Sequence, residues 1–264
     1  MSKGTAKVKY VGSAGQAVPQ GAGVTTWGFI YRTSAVKDPA YNIGDRVVLP
    51  DGREFRYAKS SGVCASGQSV DFDQTGVQAY ANAGAAAAIG DTEVTVGAGT
   101  HAAIAQDELR GGYFVSWPAA DYDQFRGIIG NDASAENAAI KVYLDGPLTV
   151  ALTTSTGCEL YENPYASVIE ASNAALGKGG VPAVYVSAAD LYFWCQTRGP
   201  CFVAPQATMI NNEGVGAMFR HDGSLEAVAT AIGGTVPDTD GTQYAGFRII
   251  GSASGNGPLF MLQG

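Results

Sequence analysis

The Asp-Gly pairs Asp51-Gly52, Asp145-Gly146 and Asp222-Gly223 each stand between two runs rich in β-branched and aromatic residues. A tight two-residue hairpin needs positive φ at its centre, which Asp and Gly tolerate and bulky residues do not, so each pair predicts a turn between antiparallel strands. The hairpins cover Arg46 to Lys59, Lys141 to Thr153, and the GAMFR and SLEAVAT runs around Asp222-Gly223. In the returning strand of the first, Phe55 and Tyr57 share one face and Glu54 and Arg56 the other, as a half-buried strand requires. The 36 glycines and 11 prolines follow no three-residue period, which excludes collagen and extends the same cadence of short strand and turn.

Strand-forming runs recur along the chain. They are Thr25 to Arg32, Arg46 to Leu49, Glu54 to Lys59, Glu93 to Val96, Gly112 to Trp117, Gln124 to Ile129 and Ala139 to Leu144, followed by Leu148 to Thr153, Val181 to Val186, Leu191 to Gln196, Gly216 to Arg220, Gln243 to Ile250 and Pro258 to Leu262. The expected fold is mainly β, an antiparallel sandwich or barrel, jelly-roll-like forms included, with one or two short helices. The helical candidates are the Ala-rich Gly76 to Ile89, interrupted by Gly84, and Ser167 to Leu176, closed by Gly177. Ala171 to Pro182, with Gly177-Lys178-Gly179-Gly180, reads as an exposed loop. The expected organisation is an extended N-terminal arm over 1–24, an N-terminal β region with the Ala-rich helical segment over 25–110, and a C-terminal β domain over 111–264, with the break near Leu109 to Gly112. No short-period repeat stands out.

With 46% hydrophobic and 15% charged residues the chain has material for a genuine core. Its net charge of −8 argues against nucleic-acid binding, which depends on Lys and Arg neutralising phosphates. Lys3, Lys7 and Lys9 fall in a stretch without acids; they read either as a docking arm for an acidic partner or as a solvated terminus. No apolar run reaches the ~18 residues of a membrane span, and MSKGTAKVKYVGSAGQAV lacks the apolar stretch of a secretory signal. Synthesis in a cytosol is therefore expected, with free thiols at Cys64, Cys158, Cys195 and Cys201.

Reactive chemistry finds little footing. His101 and His221 have no Cys or His at metal-ligand spacing, so no metal site is expected. Cys195 and Cys201 (CQTRGPC) would approach across a hairpin turned by Arg198-Gly199-Pro200, as a disulfide or, more simply, as two buried thiols. Gly12-Ser13-Ala14-Gly15 and Gly251-Ser252-Ala253-Ser254-Gly255 both miss the Gly-x-Ser-x-Gly order of a nucleophile turn. Cys64 with His101 is a weak nucleophile–base pair. Asp121 with Asp123, or Glu159 with Glu162, offers the paired acids of a glycosidase but equally a solvated surface. Asp238-Thr239-Asp240-Gly241 opens like a calcium loop, yet Ile249 stands where the twelfth-position acid belongs. Gly177-Lys178-Gly179-Gly180 lacks the order of a phosphate loop. No catalytic or cofactor-binding residue is assigned. Trp27, Trp117, Tyr192, Phe193 and Trp194 would stack sugars or bases if exposed, or fill a core or subunit interface.

The blocks GGYFVSW, YLDGPLTVALTTST with ENPYASVI, YFWCQTRGPCFVA and AGFRIIGSASGNGPLFMLQG, with IGDRVVLPDGREFRYAKSSGV in the first half, resemble tailed-bacteriophage capsid-accessory (cement or decoration) virion proteins. The resemblance implies a structural component of the virion capsid, made in the host cytoplasm, that binds the major capsid protein and itself, commonly as a homotrimer. It carries no catalytic residue across. A carbohydrate-binding phage head or tail appendage is the alternative expectation, and a glycan hydrolase resting on the paired acids is the third.

Overall fold

The computed structural model describes residues 9–10, 27–49, 51–73, 79–117, 123–172, 177–205, 216–227, 241–250 and 259–263. The fold is mainly β. Strands β1 (Lys9–Tyr10), β2 (Arg46–Val48), β3 (Glu54–Lys59) and β4 (Val70–Phe72) come first. Strands β5 (Ala79–Asn82), β6 (Glu93–Val96), β7 (Tyr113–Trp117), β8 (Gln124–Asn131), β9 (Ile140–Leu144) and β10 (Gly157–Tyr161) follow. The chain continues with β11 (Val168–Glu170), β12 (Lys178–Pro182), β13 (Tyr192–Phe202), β14 (Gly216–Arg220), β15 (Leu225–Ala227), β16 (Gly241–Ile250) and β17 (Leu259–Leu262).

The strands divide between two compact units. An inserted unit is built from Thr75–Pro164, and a flanking unit from Val8–Gln74 with Tyr165–Gly264. The expected break at Leu109 to Gly112 falls inside the inserted unit, where Leu109 is a fully buried core residue. The chain leaves the flanking unit beside the point of its return, because the Asp73 amide donates to the Ser167 carbonyl at 2.9 Å next to the β4–β11 ladder.

In the inserted unit six antiparallel strands run in the order β5-β10-β7-β8-β9-β6. The two ends of that sheet then meet: Ala83 bridges Val96, Gly84 N–H donates to the Thr95 carbonyl, and Gly97 N–H donates to the Asn82 carbonyl, both at 2.8 Å. Glycine at this seam allows the approach, since a Cβ on Gly84 would lie 3.1 Å from the Gly97 Cα. The result is a nearly closed barrel filled by Val94, Phe114, Ile128, Ile140, Val142, Leu160 and their neighbours.

Barrel closure overrides helix propensity over Gly76 to Ile89. Residues 76–78 lie outside the described set; Ala79–Asn82 is β5, and Ala83 and Ala87 are buried in the core. Leu148 to Thr153 is likewise not a strand beyond a bridge at Leu152, so the Asp145-Gly146 hairpin does not form. The buried Gln124 amide takes the place of a neighbouring strand there: its oxygen accepts from Thr149 N–H at 2.8 Å and Val150 N–H at 3.1 Å, and its nitrogen donates to the Val150 carbonyl at 3.0 Å.

The flanking unit holds an eleven-stranded sheet with the path β1-β2-β3-β13-β17-β16-β14-β15, joined by β12, β4 and β11; among the described strand pairs the short β1–β2 pair is parallel and the rest antiparallel. The hairpins at Asp51-Gly52 and Asp222-Gly223 form as expected, with Gly52 at φ 85° and Gly223 at φ 77°. Phe55 and Tyr57 are buried, Glu54 and Arg56 less so, as their alternation predicts. One side of β3 and β13 packs Ile30, Tyr41, Phe55, Tyr57 and Trp194, the other Ala58, Val70, Val168, Phe193 and Cys195.

Four further expectations are corrected in this unit. Trp27–Phe29 is a 3-10 turn within the run expected as the strand Thr25 to Arg32, of which Thr25 and Thr26 lie outside the described residues. Val168–Glu170 is a strand and not a helix, paired along β4; residues 173–176 of the expected helix lie outside the described set. Lys178–Pro182 is a strand buried at every position and not an exposed loop. The strand expected over Val181 to Val186 ends at Pro182, and Val186 makes an isolated bridge.

A single arch geometry recurs in both units. Cys64 bridges Val186, Ala87 bridges Leu152 and Ile104 bridges Ser134, each pair exchanging two backbone hydrogen bonds, and all six residues are buried. Three residues after Cys64, Ala87, Ile104 and Ser134 stands a positive-φ residue: Gly67, Gly90, Asp107 and Asn137. After Val186 it comes four residues on, at Asp190. Asp107, Asn137 and Asp190 are the non-glycine residues with positive φ among the described residues. Each arch thus buries one side chain before the next strand begins.

Candidate interaction surfaces

On β7, Phe114 and Ser116 point into the barrel, which sends Tyr113, Val115 and Trp117 outward. On β10, Cys158 and Leu160 point inward and Gly157, Glu159 and Tyr161 outward. The register then builds a row across four strands: Tyr80 opposite Glu159, Glu159 opposite Val115, Val115 opposite Phe125. A second row sets Asn82, Gly157 and Trp117 side by side. The absent side chain at Gly157 makes a floor for the aromatics, because a Cβ there would lie 3.4 Å from the Trp117 ring and 4.0 Å from the Tyr80 hydroxyl.

The aromatic side chains of this face reach solvent. Tyr80 is 60% exposed, Phe125 61% and Trp117 38%. The Phe125 ring stacks on Tyr113 with centroids 5.1 Å apart. Glu159 supplies the carboxylate of the two rows and accepts from the Tyr161 hydroxyl, whose pKa that hydrogen bond raises. An outer barrel face that is aromatic and poor in charge has the composition of a protein–protein interface core.

In the flanking unit a cavity of about 360 Å³ is lined by Arg46, Glu54, Arg56, Arg198, Gln243 and Gln263, among others. Arg46 and Arg56 stand directly opposite one another on β2 and β3. Glu54 accepts from Arg46 and lies 3.7 Å from Arg198, while Arg56 donates to the Gly44 carbonyl at 2.9 Å. Lys178 also lines the cavity, with its ammonium ion-paired to Asp71 and both side chains fully buried.

The residues weighed for catalysis do not converge. His101 is buried in the inserted unit with Nδ1 2.6 Å from the Ala102 carbonyl and Nε2 2.7 Å from the Ala138 carbonyl, so its ring ties backbone to backbone. Cys64 belongs to the flanking unit. Burial pushes its thiol, and those of Cys158 and Cys201, up to about 12, and holds Cys195 well above the ordinary thiol value; thiols that keep their protons at neutral pH are poor nucleophiles. Cys195 and Cys201 are free and lie on one continuous strand, β13, so the expected turn at Arg198-Gly199-Pro200 is a positive-φ irregularity at Gly199 rather than a hairpin. Among the described residues no group of three or more His, Cys, Asp or Glu is placed to hold a metal.

Lys3, Lys7, Trp27's side chain, Asp121, Asp238 to Asp240 and both serine-bearing strings lie outside the described residues; Lys9 is in β1. Phe193 and Trp194 are buried in the core and Tyr192 packs against it, so among the described side chains of that group Trp117 faces solvent. Tyr80, Phe125, Arg46 and Arg198 were not singled out from sequence. Phe125 was within reach, since alternation along Gln124 to Ile129 puts it opposite Gln124, but polar Gln124 is the inward residue. Compared with known protein families, curated proteins and solved structures, the chain matches none.

Proposed function

We propose that this chain is a non-catalytic structural protein of a tailed-phage virion that binds the major capsid protein and reinforces the capsid lattice, assembling on it as a homotrimer. The observation that carries this reading is the outer barrel face on which Tyr80, Trp117 and Phe125 reach solvent around half-buried Val115, with Glu159 as the carboxylate of its two rows. The block resemblance in the sequence supports the same assignment. Lys3 and Lys7 then serve as a docking arm toward an acidic partner, while Lys9 belongs to β1 of the sheet.

The test is reconstitution on filled heads. Purified chain should co-sediment with undecorated particles at lattice stoichiometry, and a Tyr80→Ser, Trp117→Ser, Phe125→Ser triple variant with unchanged circular dichroism should lose at least about tenfold in occupancy, the cost expected when aromatic anchors are removed from an interface. A chain found in infected-cell lysate and never in particles would sink the assignment. Full occupancy by the triple variant would remove the barrel face from it.

A carbohydrate-binding appendage is the second reading, favoured by the exposed Trp117 ring and Tyr80 hydroxyl both lying near Gly157. It expects binding to host-surface glycans on an array and its loss in Trp117→Ala.

A further inference from the structure

We propose that the flanking unit binds a small ligand bearing a phosphate or carboxylate oxyanion, held by Arg46, Arg56 and Arg198. The first argument is register. Arg46 and Arg56 are direct cross-strand partners on one face of β2–β3, and like charges placed opposite one another destabilise a sheet. Glu54 offsets Arg46, whereas Arg56 donates to the neutral Gly44 carbonyl, so among the described residues the Arg56 charge has no carboxylate beside it. The third guanidinium, Arg198, comes from β13 on the other side of β3, where it is paired in register with Glu54.

The second argument is charge around the cavity. Three guanidiniums face a single carboxylate, Glu54, which Arg46 and Arg198 already share. Lys178 does not need the cavity for neutralisation, since Asp71 pairs with it. A local excess of positive charge in a chain of net charge −8 is the reverse of what its average surface would supply. The third argument is an unmet donor: the Nε–H of Arg46 is buried with no hydrogen-bond partner, whereas buried polar groups are nearly always paired.

Planar guanidiniums recognise carboxylate and phosphate through paired, charge-assisted hydrogen bonds, so an oxyanion fits all three arguments. The volume of about 360 Å³ is within the range of small-molecule sites and exceeds what a bare ion needs. The Gln243 amide is held by the Lys178 backbone, accepting from its N–H at 2.9 Å, so Gln263 on the cavity wall is the neutral side chain offered to the remainder of the ligand. This inference stands apart from the capsid assignment, because it concerns a different unit and a different surface.

The experiment is isothermal titration of the full chain with inorganic phosphate and, separately, with citrate, at fixed ionic strength in chloride. At least one probe should bind saturably, and affinity should fall at least about tenfold in Arg56→Gln and in Arg198→Gln, as expected for loss of one charge-assisted contact. Preference for phosphate or for citrate identifies which oxyanion the site is built for. Arg198 has a side chain 58% exposed, so Arg198→Gln should remain folded. Arg198→Lys keeps the charge while losing the planar fork, and should bind more weakly at an unchanged melting temperature. Absence of saturable binding by both probes, or binding undiminished in both glutamine variants, overturns the proposal.

Discussion

Lys178 and Asp71 form an ion pair from which water is excluded on both sides. Desolvation makes such a pair a weak net contributor, yet removing one partner strands the other charge, at about 3–5 kcal/mol. Lys178→Met should therefore lower the unfolding free energy by about that amount in urea titration, while Lys178→Met combined with Asp71→Leu should recover most of it. The pair was hidden in the sequence because Gly177-Lys178-Gly179-Gly180 has the composition of a loop. Here the glycines mark crowding instead: a Cβ on Gly179 would lie 2.8 Å from the Phe72 ring, and one on Gly180 2.6 Å from the Gln196 carbonyl oxygen, at φ 110°. The buried thiols bear on pH at the same scale. Cys64, Cys158 and Cys201 have pKa values raised from 9.0 to about 12 in the fold, so the unfolded chain ionises first as pH rises. Stability from this source is intact below pH 9.0 and lost progressively toward pH 12, and Tyr41 and Tyr57, raised from 10.0 to about 12, act in the same sense. Melting temperatures should thus fall steeply through that window, and native thiols should resist alkylation at pH 8 until denaturant is added.

Strands were legible where burial alternates and a turn residue follows, as in Glu54–Lys59, Glu93–Val96 and Gly216–Arg220, each of which forms over the expected residues. The arches were not. What four of them share is a positive-φ residue three places after the inward one, and that inward residue is in turn Cys, Ala, Ile and Ser, so no residue repeat marks them. Positive φ is the handle by which they can be tested. Asp190 is exposed, ion-paired to Lys59 across 2.8 Å and held at φ 60°. Asp190→Gly should be close to neutral, whereas Asp190→Val forces a β-branched residue into the left-handed region and should cost about 1–2 kcal/mol by chemical denaturation. The Ala-rich run shows the same limit from the other side. Helix propensity there is real, but Gly84 and Gly97 must meet at the barrel seam, and a packed core outweighs local preference.

Composition placed the whole molecule in the right fold class, and turn chemistry located many of its strands, but the boundary between units was out of reach. A break was sought where composition changes, near Leu109 to Gly112, whereas the units divide where hydrogen-bonded ladders begin and end. Each unit has its own sheet and its own buried clusters, so differential scanning calorimetry should resolve two transitions rather than one. The aromatic barrel face is the part of the candidate surfaces that sequence reading approached through Trp117. It missed Tyr80 by reading β5 as helix. The bond between Asp73 and Ser167 has a wider consequence. A segment whose two ends emerge one hydrogen bond apart is a removable cassette: a short Gly-Asn-Gly linker replacing residues 75–164 should leave the remaining chain expressed and folded, and an unrelated domain with neighbouring termini should be graftable at the same junction.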